Sequence, residues 1–376
     1  MKIVHVTPHL PPDQAANALL PFQLGEWARA RGDSVHFVAH PPAAGGTPTS
    51  GVTWIPRARR TLMQRVFRTG SMAGAWRIRR ETRDIFASAD VIHVHSNGLL
   101  PEVSAAFAKS LGKPVVLTLY GTEIWHYRKK FGPDLFTRAY RAADAVTFYS
   151  QRLLERAREL GLDRARAVAI YPPVAESFRF HDDRAMLDAR RSLGIRAANL
   201  LVNVKRLHPL AGQRFLLEAL PAVVRDHPHT HLVVCGTGTL LPELQAVARS
   251  AGVETQVTFA GLVDNAVVAR YCAAADLFLL PSVLEALPTV AVEALASGTP
   301  VISADNPGGV ELHGVFGEDV AVVPREQAQP LASAIRTALS RKRRTAPSTQ
   351  AIIESRFRAP AVARQYWDLY ADVIVR

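Results

Sequence analysis

Two glutamates with seven residues between them, Glu285 and Glu293, flank a proline turn in Pro281-Ser282-Val283-Leu284-Glu285-Ala286-Leu287-Pro288-Thr289-Val290-Ala291-Val292-Glu293. Glu285 falls in a loop. Glu293 falls on a helix expected from about Thr289 to Ser297, which Gly298 and Pro300 stop. On one continuous helix the two carboxylates would stand roughly 80° apart, at ~100° per residue. The loop lifts that constraint and lets both point into one pocket. Pro288 and Thr289 suit a helix start, where free backbone N–H groups make an anion site matched to a diphosphate. Glu293 lies between Val292 and Ala294 on a helix of small apolar residues, so its carboxylate should be buried and in need of partners. A ribose diol is one such partner. An ordinary surface glutamate is the competing reading for both, and more so for Glu285.

Other chemistry-bearing residues carry weaker signals. His93 and His95 are two apart on a strand and share a face. A metal pair fits that spacing, but no third ligand is apparent, so packing or acceptor contact is the expectation. His227, His229 and His231 alternate through a proline-containing turn and read as a solvated edge. The two cysteines, Cys235 and Cys272, lie in separate elements without a C-x-x-C, as in a reduced cytoplasmic protein without zinc.

The elements that must position these groups alternate between strand and helix. KIVHV, SVHFVAH, DVIHVH, PVVLTLY and AVTFYS read as buried, mostly parallel strands, as do NLLVNV, HLVVCG, VTFAG, LFLLPS and PVISA further on. Amphipathic stretches such as LLPFQLGEWARARG and PEVSAAFAKSLG lie between them. The order predicts an α/β chain of two doubly wound, Rossmann-like domains, and 376 residues are too many for one ordinary core. Tyr171-Pro172-Pro173 marks the boundary, giving residues 1–173 and 174–359, with a last helix at about 360–376 packing back on the first domain. No run approaches the ~18 apolar residues of a membrane span. The N-terminus, with prolines directly after its apolar stretch, reads as a first strand rather than a signal peptide.

The ordered motifs carry a resemblance. The PSxxE-(seven)-E-A-x-A-x-G-x-P-V pattern is similar to that of the retaining family 4 glycosyltransferases, which have the GT-B fold of two domains facing a cleft. Val204-Lys205-Arg206-Leu207 with Ala211-Gly212 resembles their G-R-L-x-x-x-K-G loop, and Gly236-Thr237-Gly238 their G-x-G turn. Val257 to Val263 takes the place of their base-contacting segment, and Gly308-Gly309-Val310-Glu311 that of their G-G-x-x-E segment. The resemblance implies a sugar transferred with retention from a nucleoside-diphosphate donor, UDP ahead of GDP, to an acceptor hydroxyl. Glu293 would then hold the ribose, Glu285 the sugar hydroxyls, and Ala286, Leu287, Pro288 and Thr289 the sugar and phosphates. Arg206 would hold the diphosphate, with Gly236, Gly238 and Leu262 lining the donor site. No D-x-D triad occurs, so no metal and no cofactor beyond the nucleotide-sugar co-substrate is expected. Developing charge would fall to cations and a helix terminus.

The chain departs from the pattern at several places. Its lysine is Ala211, the glycine before its arginine is Lys205, and the histidine of its T-x-H-G strand end is Tyr120, which would still face the donor sugar. Its first-loop glycine pair is Ala15-Ala16, and the aspartate of its G-D-G turn is Thr237. Arg214, near the start of the GQRFLLEAL helix, is the expected substitute for the lysine. Lys205 is not, because adjacent side chains on an extended backbone point to opposite faces. In GT-B proteins the first half receives the acceptor, which singles out Asp13, Gln14 and Asn17 after the first strand and Tyr120, Glu123 and His126 after the LTLY strand.

The net charge is +12. From Arg57 to Asp84, Arg57, Arg59, Arg60, Arg65, Arg68, Arg77, Arg79, Arg80 and Arg83 interleave with Leu62, Met63, Val66, Phe67, Trp76 and Ile78. Such a surface suits an anionic membrane at the inner face, an acidic soluble acceptor, or plain solvation. No nucleic-acid motif accompanies the charge. Arg341 to Arg344 reads as solvated. The rival functions are a nucleotide-sugar epimerase or phosphorylase on the same fold, and a non-catalytic GT-B-like binding subunit.

Overall fold

The computed structural model describes residues 1–13, 15–42, 50–57, 71–128, 134–162 and 166–375. Gln14 and, in the basic segment, Arg59, Arg60, Arg65, Arg68, Leu62, Met63, Val66 and Phe67 lie outside the described residues. The chain forms two compact units, Met1–Pro172 with Val362–Arg376, and Pro173–Ala361.

The sheet of the first unit comprises β1 (Lys2–Thr7), β2 (Ser34–Ala39), β3 (Val52–Trp54), β4 (Val91–His95), β5 (Val115–Leu119), β6 (Ala145–Phe148) and β7 (Ala167–Ala169). All run parallel, in the order β3-β2-β1-β4-β5-β6-β7. Helices cover both faces, so every residue of β4 and β5 is buried and their sequences are nearly continuous apolar runs. Alternation assigns each side chain its partner. Val4, Val6, Ile92, Val94, Val115, Leu117 and Val146 pack against helices that supply Ile78, Phe86, Phe107 and Tyr140. Ile3, Val91, Val116 and Ala145 face Leu20 and Leu24 of helix Ala16–Ala30 and Val362, Tyr366, Tyr370 and Val373 of helix Ala359–Ile374.

The second unit repeats the plan with six parallel strands: β8 (Asn199–Val204), β9 (Thr230–Cys235), β10 (Val257–Gly261), β11 (Leu277–Leu280), β12 (Val301–Ala304) and β13 (Val320–Val323). Their order is β10-β9-β8-β11-β12-β13. In both sheets the order reverses beside the first strand, between β1 and β4 and between β8 and β11. That reversal opens a crevice at the carboxyl ends of the strands, the place where doubly wound sheets bind ligands. Sequence reading misses β3, β7 and β13, which are three or four residues long and lie at sheet edges. Neither a long apolar run nor a clean alternation marks such strands.

Arg341, Lys342 and Arg343 are exposed, as the charge run suggests, whereas Arg344 is not solvated. Arg343 pairs with the buried Asp319 at 2.5 Å. Arg344 donates to the carbonyls of His181, Ala273, Ala275 and Ser297, and burial lowers its pKa to about 10. A guanidinium with five donors is suited to such a carbonyl cage, which three separated segments create.

Candidate functional site

In the second unit the donor-side candidates lie on segments that follow the carboxyl ends of β8, β9, β10 and β11. After β8 the backbone stays paired to its neighbour, with the Lys205 N–H donating to Cys235 O and that of Leu207 to Thr237 O, both at 3.0 Å. A Cβ on Gly236 or Gly238 would run into the carbonyl oxygens of Lys205 and Leu207, so the turn Gly236-Thr237-Gly238 lies directly on this loop. The chain then passes through a 3-10 turn, Pro209–Ala211, and a left-handed Gly212 at φ 68° into helix Gln213–Asp226. Gln213 is buried, and its amide donates to Arg206 O at 3.2 Å.

After β11, the turn carrying Glu285 to Pro288 leads into helix Thr289–Ala296, whose N-terminus has no side-chain cap. Gly308 N donates to Glu285 O at 3.0 Å, and Asn306 donates to Ser282 O at 2.7 Å. A side chain at Gly308 would press on Pro288 and on Glu285. The Gly308-Gly309 pair thus lets helix Pro307–Phe316 seat against the turn. Ala286, Leu287 and Thr289 are half-buried and Pro288 is buried. Leu262, beside a positive-φ Gly261, is 83% exposed.

Among the described residues the Glu293 carboxylate has no hydrogen bond or ion pair, and burial pushes its pKa up to about 7. Arg206 is exposed with no acidic partner among them. Glu285 pairs with the ammonium of Lys205. Lys205 thus faces the loop after β11, a direction that strand alternation leaves open, since it separates Lys205 from Arg206 without saying which of them faces that loop. The Arg214 side chain is 60% exposed and bonds Glu218 at 2.7 Å on its own helix. Ala211, 2% exposed, is packed under its turn.

In the first unit the acceptor-side candidates separate into two kinds. Glu123 is buried, and its carboxylate accepts from Ser96 Oγ at 2.6 Å and from the N–H groups of Tyr120 and Gly121 at 3.2 and 2.9 Å. It holds the turn after β5. Tyr120 stacks edge-on against Tyr149, and its hydroxyl bonds His95 Nδ1 at 2.8 Å, turned into the unit rather than out of it. Asp13 pairs with His9 Nδ1 at 2.7 Å, a partner that sequence reading overlooks although the i, i+4 spacing is visible. Asn17 accepts from Thr7 through its backbone oxygen. His126 is exposed at the end of helix Thr122–Trp125.

The third histidine missing from the sequence pattern is His5. Pairing of β1 with β4 sets His5 opposite His93, and nitrogens of His5, His93 and His95 lie within 4.8 Å of one another, all fully buried. Hydrogen bonds already occupy most of these nitrogens. His95 bonds His5 at 3.0 Å and Tyr120, and His93 bonds Tyr370 and Thr118, both at 2.6 Å. Burial holds all three imidazoles neutral, His5 with a pKa lowered to about 3. The cluster is a polar seam that ties helix Ala359–Ile374 to the sheet.

On helix Met72–Ser88, Ile78, Thr82 and Phe86 are buried, while Met72 is 85% and Trp76 61% exposed. Arg77, Arg79, Arg80 and Arg83 share the exposed side, and the Arg80 guanidinium lies 4.8 Å over the Trp76 ring. Among the described residues no helix is long and apolar enough to cross a membrane.

Comparison with known proteins bears on these two units. The profile of Glycosyltransferase Family 4 matches residues 22–178, and that of Glycosyl transferases group 1 matches residues 187–355. The chain is 31% identical over 207 residues to a GDP-mannose-dependent alpha-(1-6)-phosphatidylinositol monomannoside mannosyltransferase of Mycobacterium tuberculosis (strain CDC 1551 / Oshkosh), covering 52% of this chain and 53% of that one. It is 32% identical over 237 residues to D-inositol 3-phosphate glycosyltransferase 2 of Catenulispora acidiphila, covering 60% and 55%. The chain thus spans just over half the length of these curated relatives. Anabaena HepE, crystallised with UDP, shares the fold at a TM-score of 0.76 and 19% identity, over 99% of this chain and 100% of that one. A Rickettsia africae glycosyltransferase does so at 0.79 and 14%, over 99% and 98%. With the GT-B architecture of two Rossmann-like units and both profiles matched in order, the chain belongs to the family 4 glycosyltransferases.

Proposed function

We propose that the chain transfers a sugar from a nucleoside-diphosphate donor, held by the second unit, to an acceptor hydroxyl. The observation that carries this reading is the arrangement at the β8/β11 crevice. A half-buried carboxylate at Glu293 and a guanidinium at Arg206, both without a partner among the described residues, and an uncapped helix start at Pro288–Thr289 all lie on segments leaving adjacent strands. Glu293 accepts from the ribose diol, Glu285 meets the sugar, and Arg206 and the helix terminus offset the charge growing on the departing diphosphate. Transfer proceeds with retention, the acceptor attacking on the face that the diphosphate leaves. We assign UDP ahead of GDP on its prevalence in the family; a named relative uses GDP-mannose and a fold neighbour was crystallised with UDP.

Glu293 supplies the test. With its pKa near 7, the carboxylate is about 90% protonated at pH 6 and then accepts poorly. Nucleotide affinity should therefore fall about tenfold from pH 8 to pH 6. Glu293→Gln should bind weakly at both values, with a flat profile in titration calorimetry against UDP and GDP. Unchanged affinity in that variant removes Glu293 from the donor site. If neither it nor Glu285→Ala alters transfer, the glycosyltransferase reading fails. Slow hydrolysis of the donor in the absence of acceptor separates a catalyst from a binding subunit.

The exposed side of helix Met72–Ser88 supports peripheral docking on an anionic membrane, where a lipid-linked acceptor would be met. Changing Arg77, Arg79 and Arg80 to Ser should remove about 3 kcal/mol of attraction, at roughly 1 kcal/mol each, and lower co-sedimentation with anionic vesicles about a hundredfold. An unaltered protein that fails to sediment at low salt points to a soluble acceptor.

A further inference from the structure

Lys205 stands where the resembled pattern has glycine, and its ammonium meets Glu285. The pair is not needed to hold the Glu285 turn. Backbone and side-chain bonds already do so, from Gly308 N to Glu285 O at 3.0 Å, from Asn306 to Ser282 O at 2.7 Å and from Val283 N to Leu210 O at 2.8 Å. The Lys205 backbone is equally fixed, because Gly236 abuts its carbonyl. What the pair fixes is the two charged ends, and these differ in access. The Lys205 side chain is 32% exposed and that of Glu285 11%.

The charges in the crevice also need a second cation. A sugar diphosphate brings about two negative charges, whereas Arg206 offers one positive charge and a helix start about half of one. The lysine that would complete the balance is absent, since position 211 is an alanine packed under its turn. Arg214 is paired with Glu218 along its own helix. Resting on the reading of this crevice as a donor site, we infer that Lys205 is the second diphosphate cation. In the empty site it is parked on Glu285. A donor draws it onto the phosphates and frees the Glu285 carboxylate for the sugar. Glu285 and the diphosphate compete for one ammonium.

Competition makes a signature that a structural pair lacks. Lys205→Ala should weaken a nucleoside diphosphate about tenfold in titration calorimetry, change the matching nucleoside monophosphate less than about twofold, and lower the salt slope of diphosphate binding by about one. Lys205→Arg should restore most of the affinity. Glu285→Gln, by releasing the lysine, should tighten the diphosphate several-fold, and that gain should vanish in the Lys205→Ala, Glu285→Gln double variant. Should Lys205→Ala spare diphosphate affinity and reduce turnover only as far as Glu285→Ala does, the lysine serves Glu285 alone and the inference falls. Thermal unfolding of each variant checks folding. Glu293→Gln measured alongside keeps the two readings apart. Affinity that depends on Glu293 but not on Lys205 sinks only this inference, whereas absence of any nucleotide binding sinks the donor site itself.

Discussion

Acidification from about pH 7.5 to pH 5 will strip stability from the first unit well before it harms the second. His5, His93 and His95 are buried and neutral, with pKa values depressed by desolvation, His5 to about 3. In the unfolded chain each returns to about 6.5. Below that value the unfolded state binds protons that the folded state refuses. Stability is therefore complete above about pH 6.5 and falls as pH drops, by about 1.4 kcal/mol per pH unit for each histidine. At pH 5 the three together cost up to about 6 kcal/mol, comparable with the whole stability of an ordinary domain. The readout is already in the sequence, because all five tryptophans, Trp27, Trp54, Trp76, Trp125 and Trp367, belong to the first unit. Urea midpoints followed by tryptophan fluorescence should drop steeply over this range. Replacing His5 or His95 with Gln should flatten the pH slope even if it lowers stability outright. A midpoint constant from pH 7.5 to pH 5 would show that the imidazoles are not held neutral.

Loss of the Arg206 guanidinium should be the most damaging single change to catalysis. Arg206→Ala should lower turnover by about two to three orders of magnitude, the range seen when a major transition-state donor is removed. The side chain carries no packing burden and has no acidic partner to strand, so the variant should melt within about a degree of the parent. Arg214→Ala, by contrast, breaks only an exposed bond to Glu218 and should leave turnover unchanged. Ala211→Lys, which restores the residue of the resembled pattern, should destabilise the second unit instead of rescuing it, because position 211 has no room for a chain that must reach solvent. Normal turnover in Arg206→Ala would place the diphosphate elsewhere.

The fold was legible wherever local signals agreed. Helix Thr289–Ala296 could be read to within a residue because Pro288 opens it and Gly298 and Pro300 close it. The long central strands announced themselves as apolar runs, whereas β3, β7 and β13 did not, since an edge strand of three or four residues leaves no periodic trace. Of the candidate site, the glutamates and the glycines against which their turn packs were visible in the pattern. Side-chain direction was not. Alternation separates Lys205 from Arg206 but fixes relative, not absolute, facing, so the meeting of Lys205 with Glu285 has no signal in the sequence. His5 lies about ninety positions from His95 and joins it only through strand pairing. Arg344 looked solvated because the carbonyls that enclose it come from positions that no local window contains together.

The last helix has a consequence for synthesis. Val362, Tyr366, Tyr370 and Val373 complete a core whose other members lie before residue 173, and some 189 residues of the second unit intervene. At about 5–20 residues per second, ribosomes would take roughly 10–40 s to cross that interval. Throughout it, the sheet face carrying Ile3, Val91, Val116 and the three histidines has emerged with helix Ala16–Ala30 but without the other part of its cover. The unit made first is finished last. Chaperone occupancy on nascent chains should accordingly begin while the second unit is being translated and end only once the tyrosine helix has left the tunnel.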